Sequence, residues 1–302
     1  MNYAEAREMF FAPREAPVAP GPAASQRSET RLLRDAIEPI AAICWWAEPA
    51  YDGYAALGLD FLGGYVWSRA CVMGEPDPAV VAAAFAVFEP GALGQLYDGA
   101  RETCGLAEIR RARETGAVTG LREALGSPAE CGEAVAILRR GSEAIEPAGR
   151  ALFAGLRGLA WPREELGQLW HACVMLREAR GDGHLAACVA AGVDGLQANL
   201  LTELWVGYDP FEYTGTRAWS QDAMDAAMAV LAERGLVADG ALTREGIELR
   251  ESIEVATDRT MVPAREAIGD ELARVVDLAD GWASQIIERG WFPPDPFKRA
   301  AG

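Results

Sequence analysis

Residues 169–184 read LWHACVMLREARGDGH and hold both histidines of the chain. Two arginines, a glutamate and an aspartate crowd into residues 177–182, and apolar helical runs flank the stretch on both sides. Charged side chains are rarely buried unless they are paired, because removing an ion from water costs several kcal/mol. The stretch therefore predicts a mainly helical fold with a polar cluster inside it, serving either as an ion-pair network or as a site.

Helical spacing places His171 and Glu178 on one face, two turns and roughly 10 Å apart, which is too far for them to share a metal ion. We interpret Gly181 as the end of this helix. Asp182 would then cap the following helix, and His184 would lie in its first turn.

Three interpretations of this cluster stay open. In the first, Arg177 and Arg180 pair with Glu178 and Asp182 and only hold helices together. In the second, a pocket uses either histidine for proton transfer, with Glu178 orienting the ring and an arginine binding an anion. The third, a metal site, matches no known ligand spacing, and we predict neither metal nor cofactor. The candidate catalytic residues are His184, His171 and Glu178. The candidate ligand-binding residues are Arg177, Arg180, Asp182, Trp170, Trp45, Trp46, Tyr65 and Arg69.

The order of elements after residue 184 is typical of a winged helix-turn-helix. A helix over 194–205 precedes a second helix over 221–234, for which Ser220 is a suitable N-cap. A two-strand ribbon over 235–242 turns at Asp239-Gly240, and Thr243 caps a further long helix. Hydrophobic residues at helical spacing from Leu32 onward predict a helical N-terminal half. The predicted fold class is mainly α with a small β-wing.

The chain is predicted to divide into a flexible arm (1–30), an N-terminal helical domain (31–126) and a C-terminal winged-helix domain (127–302). Pro13, Pro17, Pro20 and Pro22 characterise the arm, and Gly126-Ser127-Pro128 marks the boundary between the halves. Residues 67–73 (WSRACVM) are similar to 170–175 (WHACVM). This short repeat suggests that the two halves are related, with Arg69 facing His171.

Residues 231–246 resemble the recognition helix and wing of MarR-like regulators. Three segments resemble an actinobacterial helix-turn-helix family whose motif reads LWH…LREHRGDGH, with RGWS and TD elements downstream. Those segments are 169–184, Arg217-Ala218-Trp219-Ser220 and Thr257-Asp258. The resemblance covers roughly 31–275 and implies a winged-helix fold. The chain departs from the motif at two points, since Ala179 replaces the second histidine and Ala218 interrupts RGWS. The first departure weakens any carry-over of metal or acid–base chemistry.

Charge argues against DNA as the partner. The net charge is −17, and residues 217–259 hold five arginines against nine Asp and Glu, a balance of −4. Phosphate contacts by basic side chains supply most of the affinity for DNA, and this surface lacks them. We therefore predict a winged-helix scaffold that has lost DNA binding. A pocket around residues 177–184 would bind or transform a small molecule, as a biosynthetic or accessory enzyme. The alternative is a ligand-responsive MarR-like transcriptional regulator.

The remaining expectations concern location and assembly. The six cysteines form no CxxC pair and sit among apolar neighbours, which is typical of reduced core thiols. Glu5, Arg7 and Glu8 precede any apolar run, and no run reaches the length of a membrane span. We expect a cytoplasmic protein without membrane contact, and a homodimer is compatible with the sequence.

Overall fold

The computed structural model describes residues 1–11 and 27–295. Its α-helices are α1 (Tyr3–Phe11), α2 (Glu29–Trp46), α3 (Glu48–Ala55), α4 (Phe61–Ala70), α5 (Pro78–Phe85), α6 (Pro90–Thr103), α7 (Leu106–Leu125), α8 (Cys131–Glu143), α9 (Ala151–Arg157), α10 (Glu165–Ala190), α11 (Gly195–Val206), α12 (Gln221–Glu233), α13 (Arg244–Thr260), α14 (Val262–Ile268) and α15 (Leu272–Glu288). The strands are β1 (Val237–Ala238) and β2 (Ala241–Leu242). The predicted fold class, mainly α with a small β-wing, is confirmed.

Local signals define the winged unit, which runs from α11 to α13. The Ser220 hydroxyl accepts the Ala223 backbone N–H at the start of α12, and the Thr243 hydroxyl accepts that of Gly246 at the start of α13. The strands pair antiparallel, Val237 with Leu242. Between them Asp239 and Gly240 both have positive φ, 50° and 74°, as a tight two-residue hairpin turn requires.

Two hydrophobic cores organise the chain. The larger one combines buried side chains of α2, α4, α7, α8, α10 and the last two helices. The smaller one lies inside the winged unit and joins α11, α12, β1 and α13 to the end of α10. The chain thus leaves the larger core at α10, builds the winged unit and returns through α14 and α15. The larger core holds residues from both sides of position 126, while the predicted domain division itself stays a prediction.

Helix α10 continues through Gly181, so the prediction that the helix ends there is wrong. Neither Gly181 nor Gly183 has a positive φ. Packing of α13 against α10 explains the difference, because a side chain at position 183 would overlap the hydroxyl of Thr260. Close approach of the two helices therefore requires glycine at 183. The close packing of α13 against α10 outweighs the poor helix propensity of glycine, which is about 1 kcal/mol per residue relative to alanine.

Helix α1 falls within the range predicted to be a flexible arm, and it packs on the body of the protein. The Tyr3 hydroxyl donates to the carbonyl of Trp46 at 2.8 Å, and the Phe61 backbone N–H donates to that of Met1 at 3.0 Å. The prolines on which the arm prediction rests lie outside the described residues.

Within 1–11 and 27–295, no single helix is both long and apolar enough to cross a membrane. Helices α10 and α11 together meet the length and composition criteria, but they are bent by 105°.

Candidate functional site

The centre of the polar cluster is Glu254 on α13. Its carboxylate accepts hydrogen bonds from Arg31 and Arg250, each at 2.8 Å, and from Arg180. Burial raises the pKa of Glu254, but the three guanidiniums outweigh burial and hold it well below its usual range. Arg180 also pairs with Asp258 at 3.1 Å. Glu254 therefore links α2, α10 and α13 through one largely buried charge.

A second buried carboxylate, Glu178, lies between the two halves of the sequence. Arg69 binds both of its oxygens at 2.9 Å, and Arg177 donates to one of them at 2.9 Å. Burial raises the pKa of Glu178, but these guanidiniums outweigh it and lower the pKa to about 2. Glu38 shares Arg177, with its oxygens 3.0 and 3.1 Å from Nε. Glu178 thus neutralises two arginines and contacts neither histidine, and Arg69 faces Glu178 instead of His171.

Asp182 does not cap a following helix and does not pair with Arg177 or Arg180. It lies inside α10 and accepts the backbone N–H of Phe153 at 3.0 Å, in the first turn of α9. Burial raises the pKa of Asp182 to about 6, opposed by this hydrogen bond. The predicted network is therefore right for Arg177 with Glu178 and wrong for Asp182. The partners of Arg180 come from α13, 74 and 78 residues away.

A cavity of about 140 Å³ opens beside this network and is called the arginine cavity here. Asp182 and His184 contribute to its wall, and so do helices of both cores. Asp182 is the one carboxylate among the lining residues that the structure describes. Guanidiniums dominate the wall, and their residues are Arg31, Arg34, Arg69, Arg177, Arg180, Arg217 and Arg250. The lining is therefore basic, while carboxylates behind it pair with six of these seven arginines.

Arg217 differs from the other arginines of this wall. It forms no ion pair with any described residue, and it donates to the hydroxyl of Tyr213. Its guanidinium stacks 4.4 Å from the Tyr213 ring centroid and 4.9 Å from that of Phe88. Its Nε is buried without an acceptor among the described residues. Arg217 is therefore the one guanidinium of this wall with which no described carboxylate forms an ion pair.

A second cavity of about 320 Å³ adjoins the first and is called the aromatic cavity here. Nine of its seventeen described lining residues are aromatic. Trp45, Trp46 and Tyr65, three of the candidate ligand-binding residues, line it. Trp170 lines neither cavity and is buried, with its indole N–H donating to the carbonyl of Ala41 at 3.2 Å. Five side chains line both cavities, namely Tyr65, Phe88, Arg177, Tyr213 and Arg217.

His184 lines the arginine cavity, and its ring is held by hydrogen bonds. Its Nδ1 lies 3.0 Å from the hydroxyl of Thr257, which itself donates to the carbonyl of Ile253. Since that hydroxyl has one proton, Nδ1–H must be the donor to it, which leaves Nε2 to accept from the thiol of Cys188 at 3.6 Å. Burial, then Arg250, lowers the pKa of His184 to about 3. The ring is therefore neutral at ordinary pH.

His171 lies elsewhere. It is buried against Trp161 and Trp170, with ring centroids 4.8 and 6.3 Å away. Burial, then the charges of Arg113 and Arg139, lowers its pKa to about 3. Twelve residues of α10 lie between the two histidines, and the thirteen steps from one to the other correspond to roughly 20 Å along the axis. They do not face one cavity, and His171 lines neither of the two.

The three motif segments of the sequence meet at this site. Arg217 lines the arginine cavity, and the Trp219 indole donates to the carbonyl of Val87 at 3.0 Å. From the third segment, Thr257 holds His184 and Asp258 holds Arg180. Sequence reasoning did not assign a site role to the lining residues Arg31, Arg34, Arg217 and Arg250 or to Glu254. For Arg217 a signal existed, since it opens the RAWS segment.

Glu203 of α11 is a further residue that sequence reasoning missed. Its buried carboxylate accepts the backbone N–H groups of Phe211, Tyr213 and Thr214 and the hydroxyl of Thr214, at 2.7 to 3.2 Å. It thereby holds the loop that carries Tyr213 and Arg217. The same loop has positive φ at Phe211 and Ala218, 71° and 64°. Such strained backbone persists only where surrounding contacts enforce it.

The face that would meet DNA is acidic. Helix α12 has the sequence QDAMDAAMAVLAE, with three carboxylates and no basic residue. Arg234, directly after it, donates to the carbonyl of Gly192 and the side chain of Gln197. The wing tip at residues 237–241 has an aspartate and no lysine or arginine. Neither element presents an unengaged basic side chain.

Comparison with known proteins agrees with this architecture at the level of the family. No curated protein matches the chain significantly, and neither does any solved structure. The model of a helix-turn-helix family matches residues 30–293, which include both cores, the arginine cavity and the described lining of the aromatic cavity except Met9 and Phe10. The match covers most of the chain, and the winged unit supplies the expected helices and ribbon. The chain therefore belongs to this helix-turn-helix family.

Proposed function

We propose that this protein binds a small organic anion in the arginine cavity. The observation that carries the proposal is the wall of seven guanidiniums with a single described carboxylate, Asp182. Guanidiniums donate charge-assisted, often bidentate hydrogen bonds, which suit carboxylate, sulfonate and phosphate groups. Buried Glu178 and largely buried Glu254 orient several of these arginines from behind, and such support makes an anion site rigid.

The same site supports binding better than catalysis. Both histidines have pKa values of about 3, so neither is a strong base near neutral pH. His184 uses both ring nitrogens in hydrogen bonds to described residues. Glu178, with a pKa of about 2, is committed to two arginines. Asp182, with a pKa of about 6, is the lining group best suited to exchange a proton. We therefore assign His184, Arg177, Arg180 and Asp182 to a binding wall, and His171 and Trp170 to packing.

The alternative is a ligand-responsive regulator of the MarR-like type. It is favoured by the position of the arginine cavity, whose wall combines α2 and α4 of the larger core with α11 and α13 of the winged unit. An anion bound there would change how the two units are held together. DNA binding would then require contacts other than α12 and the wing, whose charges repel phosphate.

We expect pyrophosphate to bind wild-type protein with one-to-one stoichiometry in isothermal titration calorimetry at pH 7.5 and constant ionic strength. Arg217→Gln should weaken binding by about 10 to 100-fold. A charge-assisted hydrogen bond contributes about 1.5–3 kcal/mol, and 1.4 kcal/mol is a factor of ten. Since Arg217 holds no carboxylate, its loss should strand no charge and the melting temperature should change little.

Arg122→Gln is the matched control, because Arg122 is half-exposed, pairs with Glu164 and lines neither cavity. It should bind pyrophosphate as wild type does. Absence of binding by wild type, or equal weakening by both substitutions, would refute the anion site.

For DNA we expect at most weak association. A fluorescein-labelled duplex carrying the region upstream of the protein's own gene should show a Kd above about 10 μM in an anisotropy titration at 100 mM salt, since even non-specific binding relies on phosphate neutralisation. Sub-micromolar binding that weakens steeply with salt would favour the regulator instead.

A further inference from the structure

The aromatic cavity has the size and lining of a site for an organic ring system. Its volume of about 320 Å³ falls in the range of small-molecule pockets, roughly 300–1,000 Å³. Ring centroids of Tyr65 lie 6.0 Å from Trp45, 6.3 Å from Trp46 and 6.0 Å from Phe88. Ring pairs at such spacings favour a further ring by edge-to-face and offset contacts.

The boundary between the cavities is made of arginine and aromatic side chains. Arg177 and Arg217 line both cavities. The guanidinium of Arg177 lies 4.8 Å from the Trp45 ring centroid, and that of Arg217 lies 4.9 Å from the Phe88 centroid. A ligand that crosses this boundary would meet guanidinium groups at one end and mainly ring faces at the other, where Glu38 and Glu212 also line the wall.

We propose that the ligand is an aromatic organic anion, with its charged group in the arginine cavity and its ring body in the aromatic cavity. This inference rests on the anion site proposed above and names its ligand class. A bare inorganic anion would use the guanidiniums and leave the larger, mainly aromatic space unfilled. A neutral arene would fill that space and leave Arg217 without an ion pair. One molecule that carries both a charged group and a ring body can contact the guanidiniums of one cavity and the aromatic side chains of the other.

Two naphthalene dyes separate these contributions. 8-Anilinonaphthalene-1-sulfonate carries a ring body and a permanent anion, whereas N-phenyl-1-naphthylamine has the same ring body without the charge. In titrations at pH 7.5, we expect the sulfonate to bind one-to-one and at least tenfold more tightly than the amine. Pyrophosphate should compete with the sulfonate, because both would place their charge among the same arginines.

Variants assign each end of the dye. Arg217→Gln should weaken the binding of the sulfonate and the binding of pyrophosphate alike. Leu62→Trp should fill the aromatic cavity, which Leu62 lines without reaching the arginine cavity. This substitution should lower the affinity for the sulfonate at least tenfold and leave the affinity for pyrophosphate unchanged. Leu32→Trp adds the same side chain at an exposed position and is the control. If Leu62→Trp melts early, Leu62→Phe replaces it.

The outcomes distinguish this inference from the proposal beneath it. If pyrophosphate binds but Leu62→Trp and Leu62→Phe leave sulfonate affinity unchanged, the aromatic cavity is not part of the site and this inference fails alone. If the amine binds as tightly as the sulfonate, or pyrophosphate does not compete, it fails as well. If pyrophosphate does not bind wild type, the proposed function fails, and this inference fails with it because it relies on the same arginines.

Discussion

Glu254→Gln should lower the free energy of unfolding by about 3–5 kcal/mol, the largest effect that we expect from any single substitution in the ion-pair network. The substitution keeps the shape of the side chain and removes the charge that Arg31, Arg180 and Arg250 share. Breaking a buried pair costs this much because it strands the partner charge. The melting temperature should fall by roughly 10 °C, as followed by far-ultraviolet circular dichroism.

Glu248→Gln provides the control on the same helix. Glu248 is exposed and lies 3.8 Å from exposed Arg244, so its loss should change stability by less than about 0.5 kcal/mol. The difference in the free energy of unfolding between wild type and Glu254→Gln should also become smaller in acid. A carboxyl whose pKa is depressed in the folded state stabilises it above its unfolded pKa, and that contribution is lost as the pH falls. Equal stability of the two glutamine variants at neutral pH would contradict the network.

Gly183→Ala and Gly181→Ala should have opposite effects, although the positions are two residues apart on α10. At 183 the new methyl group would overlap the Thr260 hydroxyl and lie 3.0 Å from its Cβ. That hydroxyl donates to the carbonyl of Thr257 at 2.7 Å, so it cannot move away freely. Overpacking of this kind costs about 1–3 kcal/mol, partly offset by the helix propensity of alanine.

At 181 the one described atom that the methyl group would meet is Glu178 Oε2, at an ordinary 3.7 Å. Gly181→Ala should therefore stabilise the protein by about 0.5–1 kcal/mol. Urea unfolding of the two variants and wild type measures the difference. If Gly183→Ala is as stable as Gly181→Ala, the close approach of α13 to α10 is not as tight as described.

Local signals explain why the winged unit could be predicted. Ser220, Thr243 and the Asp239-Gly240 turn act through hydrogen bonds and backbone angles within three or four residues of themselves. The end of the helix at Gly181 was predicted with the same kind of reasoning and was wrong. The helix conformation at residues 181–183 depends on packing against Thr260, which is 77 residues further along the chain than Gly183. Propensity is a local quantity, and helix packing overrides it.

The residues of the candidate site also depend on contacts that are distant in the sequence, so local patterns could not predict all of them. Trp45 and Trp170 look alike in the sequence, each within an apolar helix, yet Trp45 lines a cavity and Trp170 packs against the carbonyl of Ala41 and the guanidinium of Arg113. The arginines that complete the wall come from α2, from α13 and from the loop before α12. Arg31 meets Glu254 across 223 residues of chain, a pairing that no spacing rule can predict.

Glu203 has a consequence for how the winged unit and the cavities respond to one another. The carboxylate belongs to the first helix of the helix-turn-helix, while the loop that it holds contributes Tyr213 and Arg217 to both cavity walls. A displacement of α11 therefore carries part of the binding wall with it. The position of α11 and ligand binding are therefore thermodynamically linked. If a ligand favours one position of α11, it raises the affinity for any macromolecule that binds that position. That macromolecule then raises the affinity for the ligand by the same factor.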